Sequence, residues 1–498
     1  MKKLFLLSAL ALSMSIAATA QEAETATDVN QYGQEVKATP VSAQVQDGIL
    51  VFQNKNANYK MWFDVRVQAD AAVFFGAPAY ADKIGNGMSI RRARFAVKAQ
   101  LNKNWYGELD TDWTSGVPEI KDAIIAFTGV KGLEVKAGNF KENFSIQRNT
   151  TSRYLVFMER PMVTSLAPSR HLGLNVRYAY KWIWASAGVF GPELKDSEAQ
   201  GFMEDYNKDF GMSEGLSYTG KLVFRPIDTK DASLHIGGAF TYRDPKTTQF
   251  KFKDFEELLE EDEAVMAALD EGKFSELDLV GTAMDSRNST NINRKKYMNS
   301  GDLIGVDHET AWTAEIAGHW KGLRYEAAYI ARTAHMNKAV NEDVYGKKGF
   351  DKFTGDGWYV QASYMLFGGT QAYDSNGAKY TRTTSGKNWG DLEIAARFQT
   401  MDLNDAVFED GKFVSGITGG KANMYELGLN YYPCKNVKIM LNYSIVNQDK
   451  YANGKGADKG KFYVGVNEKG EPTKKSSEVV GKGGVNYQML ALRFQVAF

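Results

Sequence analysis

The chain has 498 residues, 43% hydrophobic and 12% aromatic, with 47 Gly, 10 Pro and one Cys. Its 60 basic and 60 acidic residues cancel, which excludes a global pull toward nucleic acid or an anionic surface. The lone Cys434 excludes an internal disulfide, and a mean hydropathy of −0.39 with no long apolar run past the N-terminus excludes helical membrane spans.

The first twenty residues, MKKLFLLSALALSMSIAATA, join Lys2 and Lys3 to an apolar stretch and a small-residue site at Ala18-Thr19-Ala20. Those are the parts of a cleaved export signal. Residues 21–58 are polar and rich in Gln, Glu, Thr and Asn, a lead-in that orders on contact or stays disordered.

From Tyr59 the pattern becomes alternation in segments of about ten residues, the length a tilted strand needs to cross a bilayer. Sixteen such segments lie near 60–71, 90–101, 105–113, 120–128, 133–140, 172–182, 183–190, 217–226, 232–243, 311–320, 322–333, 357–367, 390–400, 422–432, 436–447 and 487–498. The connections LNKNW, TGVKG, WKGLR and YPCKN are short, while 141–171, 191–216, 244–310, 333–356, 401–421 and 448–486 are long. Short on one side and long on the other predicts an all-β fold, a closed antiparallel transmembrane barrel with periplasmic turns and external loops. The stretch 368–389 falls on the short side and is too long for it. An acidic segment at 254–269, with Phe255, Leu258, Leu259, Val265 and Leu269 at helical spacing, predicts a short amphipathic helix in the longest loop.

The final run, NYQMLALRFQVAF, puts Leu490, Leu492, Phe494, Val496 and Phe498 on one face. A spanning sheet must pair every strand edge, so this strand is expected beside the first. A soluble β-sandwich also alternates, but the number of segments, the export signal and the closing aromatic favour the barrel. Trp105, Trp113, Tyr180, Trp182, Trp320, Tyr431 and Tyr432 at strand ends suit an interfacial girdle.

The opposite phase carries bases such as Arg66, Arg92, Arg94, Lys98, Arg177, Arg397 and Arg493 and acids such as Asp64, Asp110, Asp122, Glu134, Glu393 and Glu426. Charge facing lipid is costly, so these residues are expected to face a water-filled lumen. The near balance of signs says that most of them brace the wall. An anion preference needs a local cluster, and two are offered: Arg92 and Arg94 in SIRRARFAV, and the loop after the fifth segment with Lys141, Arg148, Arg153, Arg160 and Arg170. Arginine suits this role because its planar donor fork matches oxyanions.

That loop, GNFKENFSI…SRYLVFMER…APSRHLG, resembles the phosphate-selective porin O and P family. The matching positions are Gly138, Phe140, Lys141, Phe144, Ser145, Phe157, Met158, Glu159, Arg160, Pro168, Arg170 and Gly173, with Asn143 where the family has Pro. IRRARFAV and WGDLEIAARF look like further family segments. The resemblance implies a homotrimeric outer-membrane channel of sixteen strands, an inward-folded loop at 141–171 and basic residues that pass small anions such as phosphate.

Its partners would be membrane lipid and small solutes, with no cofactor and no nucleic acid. The five histidines have no metal-ligand spacing and no nucleophile elbow is present, so an enzyme is not expected. A non-selective porin and a barrel acting in adhesion or as a scaffold are the competing readings.

Overall fold

The computed structural model describes residues 27–37, 39–194, 215–244, 281–287, 289–303, 305–338, 351–410, 412–452, 463–481 and 483–498, with 267, 271 and 272 besides. The export signal lies outside the described residues, as does the helix expected at 254–269 except for position 267.

Sixteen strands form the wall: β1 Lys60–Phe75, β2 Gly87–Leu101, β3 Trp105–Asp112, β4 Glu119–Phe127, β5 Leu133–Lys141, β6 Arg170–Tyr180, β7 Ile183–Phe190, β8 Ser217–Asp228, β9 Ala232–Arg243, β10 Val306–Trp320, β11 Leu323–Met336, β12 Lys352–Met365, β13 Asp391–Glu409, β14 Lys412–Cys434, β15 Val437–Gln448 and β16 Tyr487–Ala497. Each pairs antiparallel with its neighbour, and β16 pairs with β1 from Gln488 opposite Phe75 to Ala497 opposite Arg66. Beyond the strand itself, the Phe498 backbone exchanges hydrogen bonds of 2.6 and 3.1 Å with Val65. The closed ladder leaves no edge of β1 or β16 unpaired in the hydrocarbon.

Period-two alternation sets what each face meets. Val67, Val73, Phe95, Leu174, Val176, Leu222, Leu427, Leu490, Phe494 and Phe498 are exposed on the outside, and Trp105, Trp113, Tyr180, Trp182 and Trp320 ring the wall. Tyr432 departs from the expected girdle: it turns inward and donates to Glu393 Oε2 at 2.6 Å. Its neighbour Tyr431 takes the outer face, because adjacent strand residues point opposite ways.

Two connections differ from their sequence reading. The expected long loop at 401–421 is instead a continuation of β13 and β14, which stay paired out to Glu409 opposite Lys412. The overlong stretch at 366–390 joins β12 to β13 on the short-turn side and folds up into the barrel. Its small hairpin pairs Tyr373 with Tyr380, and Tyr380, 1% exposed, donates to the Tyr325 carbonyl at 2.6 Å and accepts from Gly318 N at 2.9 Å. The lead-in also contributes structure: Val41–Gln46 and Ile49–Asn54 form a hairpin that extends the sheet at the start of β1, Val51 opposite Trp62.

The barrel interior is not uniformly wet. Met401, Met424, Met440, Met489, Ala491 and Phe353 on the inner face of β12–β16 pack against Met158, Met162, Val163 and Leu166 from 142–169 and against Met284 and Met298 from 282–303. One side of the lumen is therefore filled by an apolar core in which unbranched methionines fit irregular gaps. This corrects the expectation that inward-facing charges all meet water.

Candidate functional site

The chain enters the lumen through Gly138 at the end of β5. Its φ of +121° is open to glycine, and a Cβ there would stand 2.0 Å from the Ala123 carbonyl oxygen. Phe140 and Phe144 are buried, and the Ser145 side chain accepts from Arg148 N at 3.3 Å, capping the single turn α1, Ile146–Asn149. Glu315 on β10 accepts from the Ile146 amide at 2.7 Å.

From there the inner loop, 142–169, is held by its backbone. Carbonyl oxygens of Tyr154, Leu155, Val156 and Glu159 accept from Arg324 on β11 (2.9 Å), Lys438 on β15 (2.6 Å), Asn430 on β14 (2.9 Å) and Arg397 on β13 (3.0 Å), and that of Met158 accepts from Arg493 on β16. Arg493 also grips Asp70 of β1 through two bonds of 2.7 Å and Glu159 at 2.9 Å. These wall cations are thus spent on the loop rather than offered to water. Irregular backbone at membrane depth needs such partners.

The loop packs toward β10–β16 and leaves a polar cavity of about 440 Å³ against the other side of the wall. Eight cations line it: Arg66 (β1), Arg94 and Lys98 (β2), Lys136 and Lys141 (β5), Arg170 and Arg177 (β6), and Lys379 from the inner turn. Five carboxylates face them, Glu108, Asp110, Asp122, Glu134 and Asp374.

Arg170 is held in a fork on Asp122, Nε to Oδ1 at 3.0 Å and Nη2 to Oδ2 at 2.8 Å. Arg94 donates to Asp112 at 3.0 Å and stands 3.6 Å from Asp110, while Lys98 sits between Asp64 (3.0 Å) and Glu108 (3.2 Å). The carboxylates fix the cations in place, and charge-assisted pairing of this kind directs the donors more than it neutralises the wall. The oxygens of Glu108, Asp110 and Asp122 lie within 4.8 Å of one another, a spacing a metal ion would accept. Lys98, Arg94 and Arg170 already occupy that role.

Of the seven residues singled out in the sequence, Arg94, Lys141 and Arg170 come together on the cavity wall. Arg92 is buried and donates to Gln68 at 2.6 Å. Arg148 donates to the Thr164 and Ala167 carbonyls at 2.8 and 2.9 Å, and Arg160 to those of Gln147 and Thr150 at 2.6 and 2.7 Å. Burial and the neighbouring arginine lower both guanidinium groups, Arg148 to about 10 and Arg160 to about 9; each stays cationic at neutral pH while bracing the loop from within. Arg153 pairs with Asp64.

Sequence reading missed Lys379 and also Arg91, which a register shift between Gln68 and Ala69 brings onto Glu159 at 2.7 Å. Alternation alone points Arg91 outward, so only a sign of the bulge could have found it. Asn143, the departure from the family motif, lines the cavity and donates to Ser186 at 2.9 Å.

The family described as phosphate-selective porin O and P matches residues 63–258 and 265–465. This chain belongs to that family. It is similar to Porin O of Pseudomonas aeruginosa, with 24% identity over 415 residues, 80% of this chain and 85% of the relative. Among solved structures it is similar to OmpT of Vibrio cholerae (10% identity, 89% and 98% of the two chains, TM-score 0.46) and to an anion-selective porin from Comamonas acidovorans (10%, 88% and 100%, TM-score 0.45). Family and closed barrel together make it an outer-membrane porin, a channel rather than an enzyme.

Proposed function

We propose that this porin passes small anions, inorganic phosphate among them, by diffusion along the cavity between the inner loop and β1–β7, and that it works as a homotrimer. The observation that carries the reading is the excess of cations over carboxylates on that wall, eight against five. An anion entering sheds part of its hydration onto Arg94, Lys141 and Arg170 in turn. Because each arginine is already shared with a carboxylate, no single stop is deep enough to trap it. The description of the family that this chain matches, phosphate-selective porin O and P, supports phosphate as a cargo.

The test is the reversal potential in a salt gradient across planar bilayers. Arg94→Gln with Arg170→Gln is expected to lower the anion-to-cation permeability ratio several-fold while channels still insert; an unchanged potential would reduce both arginines to wall braces. Conductance steps in groups of three would support the trimer. A correctly assembled protein with no conductance would favour the scaffold reading.

A further inference from the structure

A second, smaller pocket opens at the short-turn end, and it shares no lining residue with the main cavity. Among the described residues five cations line it, Arg153, Arg324, Arg382, Lys435 and Lys438, with one carboxylate, Glu393. Arg153 is held by Asp64, and Arg324 and Lys438 by the Tyr154 and Leu155 carbonyls, which leaves Arg382 and Lys435 as the cations not taken up by the inner loop or the wall. The Glu393 carboxylate is already saturated by Gln371 (2.8 Å), Asn430 (2.8 Å) and Tyr432 (2.6 Å). Thr381, Thr383 and Ser385 are among the other residues of the lining. The pocket measures about 40 Å³, room for roughly three or four water-sized groups. A single small oxyanion is a ligand of that order.

The two cations at its mouth have an unusual partner. Arg382 Nη1 and Lys435 Nζ each lie 2.9 Å from a different oxygen of Asp47, which sits at the tip of the N-terminal hairpin. The hairpin is fastened independently of this carboxylate: its second strand pairs with β1, and Asn436 Nδ2 donates to the Gly48 carbonyl at 3.1 Å. Asp47 is 60% exposed at its side chain and Lys435 67%, and exposed pairs of this kind are weak and exchange readily. Arg382 is 14% exposed and also donates to the Asp47 backbone carbonyl, so it stays beside the hairpin when the carboxylate moves.

We propose that this pocket binds a single small oxyanion on the periplasmic face, and that Asp47 is a tethered competitor resting on its two outer cations. An anion arriving from the periplasm, or leaving into it, displaces the carboxylate while the hairpin stays paired to the wall. The proposal shares with the transport reading only its ligand chemistry, since occupancy of this pocket is measurable without any current.

Cys434, the single thiol of the chain, is exposed and lines the pocket, so it reports on occupancy. The experiment follows the rate of Cys434 modification in the intact, detergent-purified protein by an anionic and a cationic thiosulfonate reagent. Inorganic phosphate is titrated at constant ionic strength held by chloride.

The anionic reagent is expected to react faster, phosphate is expected to protect, and Asp47→Asn is expected to lower the half-protecting phosphate concentration about three- to fivefold. Arg382→Gln with Lys435→Gln should abolish both the charge preference and the protection. Equal reagent rates without protection in the wild type would overturn the site. Equal protection in wild type and Asp47→Asn would overturn the competitor. Neither outcome touches the permeability test of Arg94 and Arg170, so the two readings fail separately.

Discussion

At the scale of the residue, Glu142 and Gly138 decide whether the inner loop seats. The Glu142 carboxylate is fully buried and accepts from Arg243 at 2.7 Å, with His171 Nδ1 at 2.6 Å. Burial alone would raise its pKa, but these two partners hold it at about 2. The sign follows from linkage: a carboxyl lowered by folding adds stability that is complete above its unfolded value of about 4.5 and is lost as pH falls toward 2. Loop seating is therefore expected to loosen in that window, seen as rising current noise in single channels on acidification. Glu142→Gln should give the noisy state at neutral pH, because a buried Arg243 deprived of its carboxylate costs about 3–5 kcal/mol. At Gly138, substitution by Ala should prevent β5 from closing on β4, measured as loss of the heat-resistant folded band on a gel.

At the scale of the element, the inner turn at 366–390 is the clearest case of structure that the sequence hides. GGTQAYDSNGAKYTRTTSGKNW has the composition of any solvated loop, and its partners lie far off along the chain: Thr150 accepts from Tyr380 N, Trp184 and Arg177 donate to the Asn376 carbonyl, and Arg225 to that of Ser375. No local pattern encodes such contacts. The sixteen strands were legible because burial in lipid on one face enforces a period of two residue by residue. Alternation also said that Arg397, Lys438 and Arg493 point inward, but not that loop carbonyls wait for them there. Strand phase offered Arg92 and Arg94, and the length and charge of the loop offered Lys141, Arg148, Arg153, Arg160 and Arg170. Arg94, Lys141 and Arg170 line the cavity, while Arg92, Arg148 and Arg160 donate to Gln68 and to loop carbonyls, since a charge count cannot tell a brace from a lining group. Replacing 372–383 by an Asn-Gly turn, a two-residue connection suited to a hairpin, is expected to raise single-channel conductance by removing Asp374, Asn376, Gly377 and Lys379 from the cavity. An unchanged conductance would place the narrowest point elsewhere.

At the scale of the whole molecule, the lumen divides into a dry half and a wet half. Methionine, alanine and phenylalanine on the inner face of β12–β16 pack the loop against one wall, and charged pairs on β1–β7 line the other. On the proposed reading, transport follows a lateral lane along β1–β7 rather than a central bore. Arg493→Met should test what holds the division: it strands Asp70 and leaves Glu159 only Arg91, and it is expected to lower the temperature at which the barrel opens on a gel, with a larger, fluctuating conductance below it.

The grip of Arg493 has a bearing on how the molecule comes together. One guanidinium on the sixteenth strand touches the first strand and the loop at once, through Asp70, Glu159 and the Met158 carbonyl. Closing the seam and docking the loop therefore share one side chain, and an Arg493 without the loop keeps Asp70 but lacks Glu159 and the Met158 carbonyl. A barrel sealed around an undocked loop is thus left with donors unmet at its last join, which favours the assembly in which both are in place.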